Sequence, residues 1–266
     1  MIDNHVYRQF AWNTIIVIES LPQKERTGQE LVNSILGRRA EQHGFLCGYC
    51  NVYSAEDFIG ALEEVKSGAK EDGFLPIIHI EAHGSNQGLE MESGEVITWN
   101  ILGLHLRHIN TLTKNNLLVV LGACYGIEIW QQITVITRAP FWGVLAPLEK
   151  VSEATAHESF VNFYEKITDP KFDDFVEAVR AMNQFIDPPV FQFIDSQELF
   201  DLAWKSFKEE FDTEQKINLM VDYLIENGNV HPSVDKVQLR NYWIQIFKLG
   251  DEGKHHVFNF YMMLDK

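Results

Sequence analysis

Cys124 is the side chain whose type and setting point most directly at chemistry. It follows Leu117-Leu118-Val119-Val120-Leu121-Gly122-Ala123 and precedes Tyr125-Gly126. An apolar run ending in two small residues and a thiol reads as a strand buried on both faces that delivers a nucleophile to its carboxyl end. The small residues let another backbone approach the thiol, and Gly126 is expected to supply the sharp turn after it. His83-Gly84 closes a second apolar run, Ile77-Ile78-His79-Ile80-Glu81-Ala82, in the same way. About forty residues lie between histidine and cysteine, room for one parallel crossover. A thiol and an imidazole at the carboxyl ends of neighbouring parallel strands form a candidate nucleophile and base, at the edge where open α/β sheets place their ligands.

Other constellations compete with this pair. His79, Glu81 and His83 alternate along one strand face, which would suit a metal ion, although no further ligand cluster lies nearby. The alternative role for His79 and Glu81 is to orient or flank His83. Cys47-Gly-Tyr-Cys50 has a metal or redox spacing, but zinc needs a second pair and a redox cysteine needs a helix N-terminus. Inside a strand pattern, the two thiols read as core packing. His255-His256 reads as surface decoration. No Gly-x-x-x-x-Gly-Lys loop, Gly-x-Ser-x-Gly elbow or Gly-x-Gly-x-x-Gly fingerprint occurs. No cofactor and no metal are expected.

The elements that must position the pair follow from periodicity. Residues 13–19 and 45–53 read as strands. Thr27-Gly28-Gln29-Glu30 has the capping-box pattern before a helix that Gly44 stops, and Ser54-Ala55-Glu56-Asp57 opens another that Gly73 stops. A hairpin about Ser93-Gly94 precedes a helix capped by Thr98, with Trp99, Leu102, Leu106 and Ile109 inward. Residues 140–146 read as a further strand. A helix with Ala156, Phe160, Phe163 and Ile167 inward follows, and Asp169-Pro170 reads as the start of one more. Alternating strands and helices predict an α/β fold with a mainly parallel central sheet covered on both faces. Asp187-Pro188-Pro189 breaks the pattern. A first domain over 1–187 is therefore expected, with a helical extension over 188–266 packed on it.

Composition narrows the partners. With 266 residues, 45% hydrophobic and 18 of them phenylalanine, the chain can build a sizeable core. A net charge of −16 disfavours nucleic acid and anionic membrane surfaces. No apolar stretch approaches the roughly 20 residues of a membrane span. The N-terminus lacks a basic start and an apolar signal core. Three cysteines argue against a disulfide framework, so a reducing, cytoplasmic setting is expected.

The order of these motifs resembles the caspase-like cysteine peptidases: caspases, metacaspases, separases and bacterial CHAT-domain proteases. The resemblance rests on Ala82-His83-Gly84 and Gly122-Ala123-Cys124-Tyr125-Gly126, each closing a buried strand. Glu92-Ser-Gly-Glu-Val-Ile-Thr-Trp99 between them, then Gly143 to Glu153 and Phe160 to Ile167, are also CHAT-like, so it covers about residues 11–185. It implies a caspase-like α/β/α sandwich and a cysteine endopeptidase acting on protein substrates. Cys124 would be the nucleophile, His83 the base and acid, and the backbone N–H groups of Gly84 and Cys124 the oxyanion hole. Gly-Ala-Cys-Tyr-Gly departs from the caspase Gln-Ala-Cys-Arg-Gly, so aspartate specificity is not implied. Glu153, with Ser152 and Glu81 as further substrate-binding candidates, falls where separase-like members carry an acid facing a basic P1 side chain; a helix N-terminal acid is the alternative for Glu153. The expected setting is bacterial signalling or antiviral defence, controlled by the C-terminal helices or a regulatory protein partner. A catalytically silent interaction module of the same fold is the other reading.

Overall fold

The apolar runs become the central strands of one sheet in the computed structural model, which describes residues 10–172, 174–211, 213–226 and 235–265. In chain order the strands are β1 Thr14–Ser20, β2 Leu46–Asn51, β3 Pro76–Ser85, β4 Gly88–Glu90, β5 Val96–Thr98, β6 Leu118–Gly122, β7 Gly143–Pro147 and β8 Phe191–Asp195. The main path runs β2-β1-β3-β6-β7-β8, parallel throughout except for the antiparallel β7–β8 pair. The last three residues of β3 leave the parallel ladder and pair antiparallel with β4, which pairs with β5 as the expected hairpin.

Helices cover both faces because the central strands are apolar at both parities. On one face Ile15, Val17, Ile77, Leu118, Val120 and Leu145 share a core with Leu31, Leu36, Phe160, Phe163 and Met182. These come from α1 Thr27–Leu31, the π-helical turn Val32–Leu36, α5 Glu153–Ile167 and α6 Phe175–Met182; α2 Gly37–His43 continues the first helix. The opposite parity, including Ile18, Ile78, Ile80, Val119 and Leu121, is equally buried. Its cover includes α3 Ala55–Glu71, which packs on β1 and against α4 Trp99–Leu112.

The helix starts separate correct from incorrect expectations. Ser54 caps α3 in a complete capping box with Asp57, and Thr98 caps α4. Gly44 and Gly73 take the left-handed conformation past their helices. Thr27, however, caps nothing. The N-cap position falls to Arg26, and the N–H groups of Gly28 and Gln29 donate to the Glu19 carboxylate at 2.7 and 3.1 Å. A buried carboxyl group on the adjacent strand takes the N–H groups that the Thr27 hydroxyl would otherwise cap. Asp169-Pro170 forms a turn, with Asp169 accepting from the Lys171 N–H; the next helix begins later, capped by Asp174.

The sheet also extends past the boundary expected after Asp187, because β8 pairs with β7. The chain divides into one compact unit over residues 1–132 and 140–195 and a second over 133–139 and 196–266. The second unit holds α7 Ser196–Glu210, α8 Glu214–Glu226, α9 Lys236–Lys248 and α10 Asp251–Tyr261, the last not foreseen. Phe200, Trp204, Phe207, Met220, Trp243 and Tyr261 form its core, with Val135 and Ala139 from the inserted segment. Within it, Arg138 pairs with Asp265 and lies 4.3 Å from the Phe260 ring centroid. Residues 1–9, whose composition was read as leaderless, lie outside the described residues. Among the described residues no helix is long and apolar enough to cross a membrane.

The two predicted helix starts should differ in denaturation experiments. Ser54→Ala is expected to lose about 1 kcal/mol. Thr27→Ala should stay within about 0.5 kcal/mol of the parent chain.

Candidate active site

Strand register places the expected pair at equivalent positions on neighbouring strands. Glu81 of β3 stands opposite Gly122 of β6, and His83 and Cys124 each follow two residues later at the same parity. The contact beyond the ladder is close: a Cβ on Gly84 would lie 2.1 Å from the Cys124 carbonyl oxygen and 2.9 Å from the Cys124 nitrogen. Only glycine tolerates that approach. The backbones of Gly84 and Cys124 are therefore apposed, as two donors to one oxyanion require. Cys124 is half-buried, and His83 lies on the surface with its side chain 59% exposed.

The turn after the thiol is made differently from the expectation. Tyr125, not Gly126, takes the left-handed conformation, at φ 58°, and the Gly126 N–H closes the turn on the Ala123 carbonyl. A non-glycine residue there stores about 1 kcal/mol of strain next to the thiol. Gly126 is instead required by packing, since a Cβ would meet Leu121 and Ala146 at 3.0 and 3.3 Å.

Glu25 completes the pair. Its Oε2 lies 3.2 Å from His83 Nε2, so a carboxylate holds one ring nitrogen and leaves Nδ1 as the basic one. Sequence reading passed over Glu25, which sits in a short 3₁₀ turn, Gln23–Glu25, with no motif around it. An open groove of about 390 Å³ runs beside this turn, lined by Gln23, Arg26, Gln29, Glu30, Asn33 and Ser34.

Beneath the edge lies a buried polar chain. Glu19 is fully buried and accepts from Gly28 N, Gln29 N and, at 2.7 Å, the Tyr49 hydroxyl. Its rung neighbour Glu81 is 3% exposed and bonded through Oε1 to His79 Nε2 at 2.8 Å. His79 Nδ1 lies 3.1 Å from the Tyr164 hydroxyl. Burial pushes the Tyr164 phenol well up, so it stays protonated and donates to Nδ1, leaving Nε2–H to donate to Glu81. Burial raises the Glu19 carboxyl most; the Tyr49, Gly28 and Gln29 bonds oppose this, and the Glu81 charge adds to it. With a raised folded-state pKa, Glu19 contributes stability below the ordinary carboxylate value and loses it as pH climbs through the folded value.

The remaining candidates divide. Glu81 was expected to bind substrate, but its burial and its bond to His79 turn it into the sheet. Ser152 caps α5, accepting from Thr155 N at 3.2 Å. Glu153 is exposed in the first turn of α5. One turn on, His157 lies 3.9 Å from Glu30, so this end of α5 borders the groove. His79 and Glu81 are engaged with each other, and His83 turns outward to Glu25. Among the described residues no group of three or more His, Cys, Asp or Glu side chains is placed to hold a metal ion. Cys47 shares the face of Ile15, and Cys50 occupies the other parity of β2, so strand geometry keeps the two thiols apart. No protein-family model matches the chain, and no curated protein shows significant similarity to it.

Burial pushes the Cys47 thiol up to about 11 and also raises Cys50. At pH ~8, Cys47 then holds roughly 200-fold less thiolate than a thiol of ordinary pKa near 8.5. Brief iodoacetamide treatment followed by peptide mapping is expected to label Cys124 at least about tenfold faster than Cys47 or Cys50. Equal labelling would remove the distinction drawn between them.

Proposed function

We propose that the chain is a cysteine endopeptidase of caspase-like topology, cleaving protein substrates with Cys124 as nucleophile and His83 as base and acid. The observation that carries this reading is the glycine-permitted contact of Gly84 with the Cys124 backbone. It sets the backbone of the proposed nucleophile against the strand that carries His83, at the edge of the sheet. The Cys124 thiolate attacks the scissile carbonyl, and the N–H groups of Gly84 and Cys124 stabilise the oxyanion. His83 then protonates the leaving amine, and water hydrolyses the thioester. Glu25 holds the imidazole in one orientation and stabilises it when protonated.

A basic P1 residue suits the acids at the groove. Glu153 precedes His157 by one turn on the same side of α5, and Glu30 lines the groove opposite. The charge of −16 favours cationic substrates in the same sense. Control by a protein partner, in bacterial signalling or defence, is part of the proposal. The segment Ile133–Ala139, soon after Cys124 in the chain, belongs to the second unit, so rearranging that unit would act on the nucleophile loop through the backbone.

Hydrolysis of fluorogenic peptides varying only at P1 tests the reading. Cleavage after arginine or lysine that disappears in Cys124→Ala is expected, whereas cleavage that survives this substitution would end the proposal. Glu25→Gln should lower kcat roughly 10- to 100-fold with KM nearly unchanged.

A further inference from the structure

We propose that the buried carboxylates Glu19 and Glu81 are positioning residues for the dyad, one holding the turn that carries Glu25 to His83 and the other setting the distance between β3 and the Cys124 loop. The inference rests on the cysteine–histidine reading above and adds residues that never touch a substrate.

Two carboxylates side by side in the middle of a sheet are an expensive arrangement. Each ion loses several kcal/mol of hydration, and like charges repel. Glu19 and Glu81 are rung partners, yet no lysine or arginine bonds to either among the described residues. The groups facing Glu19 are Tyr49 on β2, Glu81 on β3 and the N–H groups of Gly28 and Gln29 on α1. Those facing Glu81 are Glu19, His79 and, through His79, Tyr164. Apolar residues at both positions would pack this sheet without such a network, so its value lies in what it holds.

What Glu19 holds is the first turn of α1. The residues just ahead of that turn are Gln23 to Arg26, and Glu25 among them reaches His83. Fixing Gly28 and Gln29 to the end of β1 fixes one end of a short connection whose other end is Ser20. The Glu25 carboxylate then has little freedom to leave the imidazole. What Glu81 holds is the level of Gly122. Its Oε2 would lie 2.2 Å from a Cβ on that glycine, so the carboxylate covers the Gly122 backbone two residues before Cys124. Bonding to His79 keeps the carboxylate over that spot. One rung of the sheet thereby reaches the base through α1 and the nucleophile through β6.

The test is the pH profile of Cys124 alkylation by iodoacetamide, read by peptide mapping in the full-length chain. His83→Ala is expected to move the thiolate midpoint toward that of a free thiol, near ~8.5. Glu19→Gln and Glu81→Gln keep side-chain volume. Each should move the midpoint in the same direction by about 0.5 pH unit or more while the melting curve stays cooperative. Combining either with His83→Ala should add nothing, since positioning residues act through the dyad. Should a glutamine variant fail to fold, Tyr49→Phe, which removes one donor to Glu19, and Tyr164→Phe, which removes the far partner of His79, are expected to displace the midpoint in the same direction. A profile that His83→Ala moves and folded glutamine variants leave unchanged overturns this inference alone. A profile that His83→Ala leaves unchanged overturns the dyad and the inference together.

Discussion

Burying Glu19 beside Glu81 is the constraint from which much of the first unit follows. Carboxylates without water require other donors, and each donor dictates a piece of structure. Two of them are the first free N–H groups of α1, so that helix must begin where β1 ends. Another is an imidazole inside the core, which needs Tyr164 of α5 on its far nitrogen. Space must also be kept clear. Gly28 would place a Cβ 3.1 Å from both Glu19 Oε1 and Glu81 Cγ, and Gly122 would place one inside the Glu81 carboxylate. Strand, helix and glycine positions are thus tied to one polar rung.

The second constraint is the change of partners along β3. Up to Glu81 the strand is walled on both sides, by β1 and by β6. From His83 onward it pairs antiparallel with β4, and β6 has ended. The gap left beside His83-Gly84 is where the Cys124 loop lies, against a glycine that presents no Cβ. A reactive thiol needs an approach path for substrate as well as a base, and a strand that exchanges partners at the sheet edge supplies that opening while keeping its backbone rigid.

Much of this was legible in the sequence. Buried strands betray themselves by unbroken apolar runs, and Ser54, Thr98, Gly44 and Gly73 mark helix ends by chemistry local to a few residues. Cys124, His83 and Gly84 were readable because each ends such a run. What escaped depends on residues far apart in the chain. Thr27 looked like a cap because the competing acceptor, Glu19, is on another element. Glu25 carries no signal because its partner lies in β3. Glu81 was read as flanking His83 or binding substrate because only the sheet order shows β1 and β6 closing over it. β8 was missed for a related reason: the stretch after Asp187-Pro188-Pro189 reads as a helical extension until β7 provides the pairing partner.

The three cysteines show how far position outweighs residue type. Cys47 and Cys50 have the spacing that most invites a chemical reading, and β2 separates them by placing them at opposite parities. Cys47 faces a core of Ile15 and aromatic side chains, where the thiolate loses its hydration and gains no cation in exchange. Cys124 has no motif spacing to advertise it, yet it stands just past a strand end with its backbone against Gly84, the residue after His83. Two hydrogen-bonded sets, Tyr49 with Glu19 and Glu81 with His79 and Tyr164, meet at the Glu19–Glu81 rung below that edge, where both carboxylates are buried and respond to neighbouring dipoles rather than to bulk solvent. A nucleophile at the wet edge and a polar support in the dry sheet are complementary requirements: the first must exchange protons with solvent, and the second must not move when it does.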